Sequence, residues 1–234
     1  MKKRIWELDA LRGLFAIGMI LCHLMMLLDQ TFGPFAWIQG SFFTFVSQWG
    51  GVLFFLISGI CITLGHHPIR RGLVVLACGA VVSAVSFLLN RWTMMDPVYF
   101  GVLHCLGVCM LLWPVLQRLP CWAMAVLAVA IIVPGVLFEG QMTVSHYWGV
   151  ALGFTPLGFV ASDHFPLMPF LGFFLAGALL GKLLYKKKET LFPNVHSEYG
   201  LFAFFCAVGR WSLPLYLLHQ PVLMGIVRLL EAMI

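Results

Sequence analysis

Residues 8–28 read LDALRGLFAIGMILCHLMMLL and decide what kind of protein this is. Asp9 and Arg12 stand at the start of the stretch, and the sixteen residues after Arg12 are apolar or small except for His23. At about 1.5 Å per residue, a helix places His23 roughly 16 Å beyond Arg12, at a depth where the core of a bilayer is expected. A polar side chain at that depth is costly and is usually kept for a function, so His23 is the first candidate for chemistry.

The composition of the whole chain is that of a membrane protein. Of its 234 residues 62% are hydrophobic and 10% are charged, and the mean hydropathy is +0.98. Soluble domains carry about 25% charged residues, so a soluble fold is excluded. Apolar runs of about 20 residues favour helices over a barrel, and the first run lacks a small-residue cleavage site, so it is interpreted as a retained span. The net charge of +5 is expected from basic loops facing anionic lipid, and no nucleic-acid binding is predicted.

The apolar pattern predicts an all-α, polytopic transmembrane helix bundle of about seven or eight spans, forming a single domain over residues 1–234. The seven clear spans are residues 10–29, 45–65, 71–90, 98–116, 120–138, 166–185 and 212–232. Two further apolar segments are candidates for an eighth helix. Residues 199–208 could form an interfacial helix, and residues 143–159 could form a re-entrant or surface segment. Gly172, Gly177 and Gly181 are expected on one side of the sixth span, where they allow tight helix packing.

Lysine and arginine predict the orientation, because cytoplasmic loops carry an excess of both. With the N-terminus inside, the inner segments hold twelve of these cations and the outer segments hold two. The N-terminus is therefore predicted to be cytoplasmic, in a multi-pass protein of the cytoplasmic membrane. The outer cations are Arg91 and Arg228, and the inner ones are Lys2, Lys3, Arg4, Arg12, Arg70, Arg71, Arg118, Lys182, Lys186, Lys187, Lys188 and Arg210.

Three polar groups are expected at one level in the outer third of the bundle. His23 lies near the outer end of the first span, His104 roughly 9 Å below the outer face, and Asp163 immediately before the sixth span. Convergence from three helices predicts a site, with His23, His104 and Asp163 as catalytic residues. For any single buried histidine, a hydrogen bond between helices is the alternative.

A second group of polar residues is expected near the inner face. Arg12 and Arg210 are candidates for a basic vestibule that binds a phosphorylated cytosolic ligand, although Asp9 and Arg12 can also simply pair along one helix face. His219 is predicted about 10 Å from the inner end of the last span, where prolines weaken the helix and a structural hydrogen bond is expected. Ser58, followed by glycine, lets the second span approach a neighbour or a ligand closely. No sequence motif for a metal site or a P-loop is found.

Five motifs, in order along the chain, resemble the heparan-α-glucosaminide N-acetyltransferase catalytic-domain family, in the bacterial branch of the transmembrane acyltransferase superfamily. They are LDALRG, GGVLFFLISGIC, YFGVLHCLGVCMLL, DHFPLMPFLGFFLAGALLGK and GRWSLPLYLLHQPVL. The resemblance covers nearly the whole chain. It implies a cytosolic acetyl-CoA or acyl-CoA donor, no metal cofactor, and an acceptor on the far side of the bilayer that is a sugar or a lipid-linked glycan.

The resemblance also implies roles for the polar residues. The donor is expected against Asp9, Arg12, Ser58, Arg210 and His219, with its phosphates on the cations. A histidine would act as general base or take the acetyl group itself, and an aspartate would orient it or bind the acceptor.

One departure from the family limits how far those roles carry over. In the lysosomal member of the family the catalytic histidine follows the first span. Residues 29–49 of this chain contain no histidine, so that role is not carried over by position. A homodimer is left open. A small transporter or flippase and a purely structural subunit are the other function classes, although transporters often show an internal duplication that this sequence lacks.

Overall fold

The computed structural model describes residues 5–35, 40–90, 96–138, 143–144, 146–195 and 200–233. Over these residues the chain is about 75% helical and forms no strand, which confirms the predicted all-α class. Several residues used in the prediction of orientation lie outside the described ranges. They are Lys2, Lys3, Arg4 and Arg91, together with 139–142 and 145 of the predicted outer loop.

The described residues form eight α-helices. These are α1 (Trp6–Phe32), α2 (Ser41–Leu64), α3 (Pro68–Leu89), α4 (Val102–Leu116), α5 (Cys121–Leu137), α6 (Leu167–Leu184), α7 (Gly200–Arg210) and α8 (Ser212–Met233). One turn of 3-10 helix, Tyr147–Gly149, lies between α5 and α6.

The helices match the predicted spans to within about four residues at either end. Five of them are long and apolar enough to cross a membrane, namely α1, α2, α3, α6 and α8. The other three, α4, α5 and α7, are apolar but shorter. Helix α4 begins at Val102 rather than at residue 98, because the preceding residues are extended and Phe100 pairs with His164 in a parallel bridge.

The chain divides into two compact units, which we describe separately. The first unit comprises Met1–Phe54 and Lys187–Ile234, and the second comprises Phe55–Lys186. The prediction of a single domain over residues 1–234 stays a prediction.

In the first unit, α7 and α8 follow α1 in the same direction. Gly13 and Gly209 bring the backbones of α1 and α7 together, since a Cβ added to Gly13 would overlap the Phe205 carbonyl and one added to Gly209 would overlap the Asp9 carbonyl. Small residues permit this close approach between apolar helices. Further along, α8 contacts α1 through His219, which meets His23. Helix α7 therefore lies beside the first turns of α1, and α8 lies beside the later ones.

In the second unit, glycines again set the closest helix contacts. An added Cβ on Gly177 would overlap the Leu56 carbonyl of α2, and one on Gly59 of α2 would overlap the Phe174 carbonyl of α6. Gly172 packs in the same way against the Ala128 carbonyl of α5. These contacts confirm the tight packing predicted for the sixth span, but the prediction that its glycines share one side is wrong, because Gly172 faces α5 while Gly177 and Gly181 face α2.

Residues 146–166 form a cap over one end of the second unit, where α5 ends and α4 and α6 begin. Backbone hydrogen bonds hold the cap in place: Phe165 N donates to the Phe100 carbonyl at 3.0 Å, and Leu167 N donates to the Ala151 carbonyl at 2.8 Å. Of the segment predicted at residues 143–159 as re-entrant or superficial, the described residues contain one short 3-10 turn, Tyr147–Gly149, within this cap.

Candidate active site

His23 of α1 and His219 of α8 form a pair inside the first unit. His23 Nδ1 lies 3.1 Å from His219 Nε2, and the ring centroids are 5.0 Å apart. His219 is 7% exposed, so its imidazole is removed from solvent and its polar atoms require partners. Two imidazoles from different helices thus share one hydrogen bond within an apolar bundle.

The hydrogen bonds of the pair determine which nitrogen carries each proton. The Tyr216 carbonyl can only accept, so His219 Nδ1 donates to it across 2.6 Å. In a neutral His219 ring, Nε2 is then the acceptor, and His23 Nδ1 must supply the proton of the bond between the rings. His23 therefore keeps its lone pair on Nε2.

Nε2 of His23 takes no part in the bond between the rings, and the Met19 backbone is a further partner of the His23 ring. Among the described residues, every fully buried side-chain nitrogen or oxygen has a hydrogen-bond partner. An accessible lone pair on a neutral imidazole is the feature that a general base requires.

His104, in the second unit, differs because both of its ring nitrogens are occupied. Gly101 N donates to His104 Nδ1 at 3.3 Å. Ser83 Oγ, which donates its own proton to the Val98 carbonyl at 2.6 Å, lies 3.5 Å from His104 Nε2 and is placed to accept from it. These contacts tie the start of α4 to α3 and leave His104 without an available lone pair in this arrangement.

Asp163 lies at the same helix terminus as His104. Its Oδ2 accepts from Val102 N at 3.2 Å, so its carboxylate satisfies one of the free N–H groups that begin α4. A Cβ on Gly101 would overlap this carboxylate, so the absence of a side chain there lets Asp163 approach. The structure thus brings His104 and Asp163 to one helix end, while His23 belongs to the other unit.

Asp9, Arg12 and Arg210 gather near the beginning of the first unit. Arg12 Nη1 lies 3.8 Å from Asp9 Oδ1, and both side chains are partly exposed. Arg210 directly follows Gly209, which packs against the Asp9 backbone, and its Nε donates to the Cys206 carbonyl at 3.2 Å. Two guanidinium groups and one carboxylate are thereby placed where α1 meets α7.

The remaining two residues predicted to bind the donor have different surroundings. Ser58 is buried on α2 in the second unit. His219 lies on the imidazole pair, at the same level of the first unit as His23. The prediction counted about 10 Å from the start of α8, which left out α7, although α7 lies beside the first turns of α1 and sets where α8 begins along that helix.

Two features of the site were not predicted. The imidazole pair has a signal in the sequence, because His23 follows Gly13 by ten residues and His219 follows Gly209 by ten. The other is Glu7, a buried carboxylate that accepts from Thr190 Oγ1 at 2.7 Å and from Leu191 N at 2.8 Å. It fastens the segment before α7 to the start of α1, and no sequence pattern marks that contact.

The described residues contain no group of three His, Cys, Asp or Glu side chains placed to hold a metal ion. The fold and the imidazole pair define a multi-pass helical membrane protein with two hydrogen-bonded histidines between its helices. The chain belongs to the family described as heparan-alpha-glucosaminide N-acetyltransferase, catalytic, which matches residues 4–221. This confirms the predicted family and points to a membrane acetyltransferase. No curated protein and no solved structure matches the chain.

Proposed function

We propose that the protein transfers an acetyl group from cytosolic acetyl-CoA to a sugar or a lipid-linked glycan on the far side of the cytoplasmic membrane. Family membership supports an acetyltransferase. The observation that carries the proposal is the accessible Nε2 of His23, held in its basic form by His219. A purely structural subunit would have no need for an imidazole ordered in this way.

In the proposed reaction His23 acts as the general base. Its Nε2 takes the proton from the amine or hydroxyl of the acceptor as that atom attacks the thioester carbonyl of the donor. The bond between the carbonyl carbon and sulfur then breaks, and the proton passes to the departing CoA thiolate. A covalent acetyl-histidine is the alternative, in which Nε2 itself attacks the carbonyl and later releases the acetyl group to the acceptor.

Arg12 and Arg210 are proposed to bind the phosphates of the donor. A guanidinium presents several N–H donors in a fixed plane and grips phosphate bidentately, which suits an exposed position beside an aqueous compartment. Asp9, 3.8 Å from Arg12, would orient that guanidinium. His219 is proposed to contact the pantetheine arm, which is apolar apart from its amides, and Ser58, in the second unit, stays a prediction from the sequence.

His104 and Asp163 remain candidates for the chemistry, because general bases in unliganded sites often change partners when substrate binds. Their present contacts favour a different task, which is to hold the beginning of α4. We therefore rank them behind His23 as acid–base groups and propose that they shape the acceptor side of the second unit.

The proposal is tested with the full-length protein reconstituted in phosphatidylcholine nanodiscs. Acetyl-CoA labelled in its acetyl group is supplied with methyl glucosaminide, and labelled N-acetyl product is measured over time. Product formation that depends on both substrates is the expected result. Binding of labelled acetyl-CoA without any product, for this acceptor and for an alkyl glucosaminide, would contradict the proposal. Passage of intact glucosaminide across a vesicle membrane would favour the transporter instead.

A further inference from the structure

A cavity of about 280 Å³ lies in the second unit, between the end of α5, the cap and the start of α6. Ligand sites of small molecules typically measure about 300–1,000 Å³, so this cavity suits one ring or a segment of chain rather than a whole nucleotide-bearing donor. Its walls are mainly apolar and include Phe138, Phe154 and Phe159. Among the described residues, its polar side chains are Thr155 and His164.

The cavity offers few hydrogen-bonding side chains, and their donor and acceptor atoms can be assigned. His164 Nε2 lies 3.0 Å from the Val150 carbonyl, which only accepts, so Nε2 carries a proton and Nδ1 of the neutral ring is an acceptor. Thr155 adds one hydroxyl. A free sugar brings several hydroxyl groups, each of which loses water on burial and needs a partner. Two polar side chains match a ligand with one polar linkage and an apolar remainder.

The rim of the cavity indicates how such a ligand arrives. Leu152 and Phe138 line the cavity and are also exposed, so they border its opening. On the same cap, Trp148 is 91% exposed and Leu157 is 87% exposed. Exposed Trp and Leu at the end of a membrane-protein bundle mark the region that touches lipid. The opening is therefore bordered by side chains suited to lipid rather than to water.

We propose that this cavity binds the apolar chain of a lipid-linked acceptor, with the polar linkage of the chain beside His164 and Thr155. The inference deepens the proposed function by naming the class of acceptor, and in that respect it rests on the proposed function. The chain enters laterally from the bilayer past Leu152. Its sugar remains outside the cavity.

Photolabelling of the full-length protein in phosphatidylcholine nanodiscs tests the inference. The probe is an alkyl glucosaminide whose alkyl chain carries a diazirine, and labelled peptides are mapped by mass spectrometry. We expect label on residues 134–138 and 152–159. Leu152→Trp, which places an indole at the opening, should reduce that label about tenfold. Leu157→Trp is the matched control, because Leu157 belongs to the same cap but does not line the cavity, and it should label like the wild type.

Label spread over the lipid-facing helices and unchanged by Leu152→Trp would overturn the inference. A parallel acetylation assay separates it from the proposed function. If methyl glucosaminide is acetylated as efficiently as the alkyl glucosaminide, the lipid-linked acceptor is refuted while the acetyltransferase stands. If the cavity is labelled in the expected pattern but neither glucosaminide is acetylated, the binding site stands and the proposed function fails.

Discussion

Replacement of His219 by alanine tests whether this residue positions the proposed base. The variant removes His219 Nε2, the acceptor that lies 3.1 Å from His23 Nδ1, and so weakens the preference of the His23 ring for carrying its proton on Nδ1. A neutral hydrogen bond contributes about 0.5–1.5 kcal/mol, and 1.4 kcal/mol corresponds to a factor of ten. The ratio of the His23 tautomer with a free Nε2 to the other neutral tautomer should therefore fall about 2- to 12-fold, and the rate of acetyl transfer should fall by no more than that factor.

The matched variant is His219→Gln, whose side-chain carbonyl can still accept from His23 Nδ1. It should recover most of the wild-type rate. The assay is acetyl transfer at saturating acetyl-CoA in nanodiscs, together with the thermal unfolding midpoint of each variant, since loss of a buried partner also lowers stability by about 1–3 kcal/mol. An unchanged rate in His219→Ala, or a glutamine variant as slow as the alanine variant despite normal stability, would refute a positioning role.

Three further predictions concern the cations, the second histidine site and the orientation. Arg12→Ala should weaken acetyl-CoA binding roughly 10- to 100-fold in an equilibrium binding assay. The control Arg228→Ala should bind like the wild type. If Arg12→Ala also binds acetyl-CoA as tightly as the wild type, the role of Arg12 is its pairing with Asp9. His104→Ala should lower the unfolding free energy by about 1–3 kcal/mol and leave the rate of the folded enzyme near wild type. A normal stability with a rate loss of about 10²-fold or more would make His104 catalytic instead. In a cysteine-free background, a cysteine introduced at position 188 should react with a membrane-impermeant thiol reagent only from the cytoplasm, and one at position 146 only from outside. Labelling of both positions from one side would contradict the predicted orientation.

The helices could be predicted because span length and hydropathy are properties of the sequence alone. Seven predicted spans correspond to α1 through α6 and α8 within a few residues. Helix α7 was uncertain because its eleven residues are too few to indicate a span. Its position beside α1 depends on the contact between Gly13 and Gly209, which only the packed structure reveals.

The sequence was sufficient to predict which residue types form the site and roughly how deep they lie, but not which side chains form hydrogen bonds with each other. His23 was singled out because a polar group in an apolar run is costly. Its pairing with His219 was missed because depth was counted from the start of α8, although α7 shifts that helix along α1. His104 and Asp163 were expected together, and they do meet at the start of α4. Their hydrogen bonds to backbone N–H groups depend on how the extended residues before α4 fold, which periodicity does not encode.

The most direct test of the central claim is the rate of acetyl transfer by His23→Ala. The variant is compared with the wild type and with His146→Ala, which alters an exposed histidine in the cap. At saturating acetyl-CoA and equal amounts of folded protein, loss of a general base should slow transfer about 10²–10⁴-fold, with acetyl-CoA binding near normal and His146→Ala unaffected. A His23→Ala enzyme that binds acetyl-CoA and transfers acetyl at the wild-type rate would contradict the assignment of His23 as the base.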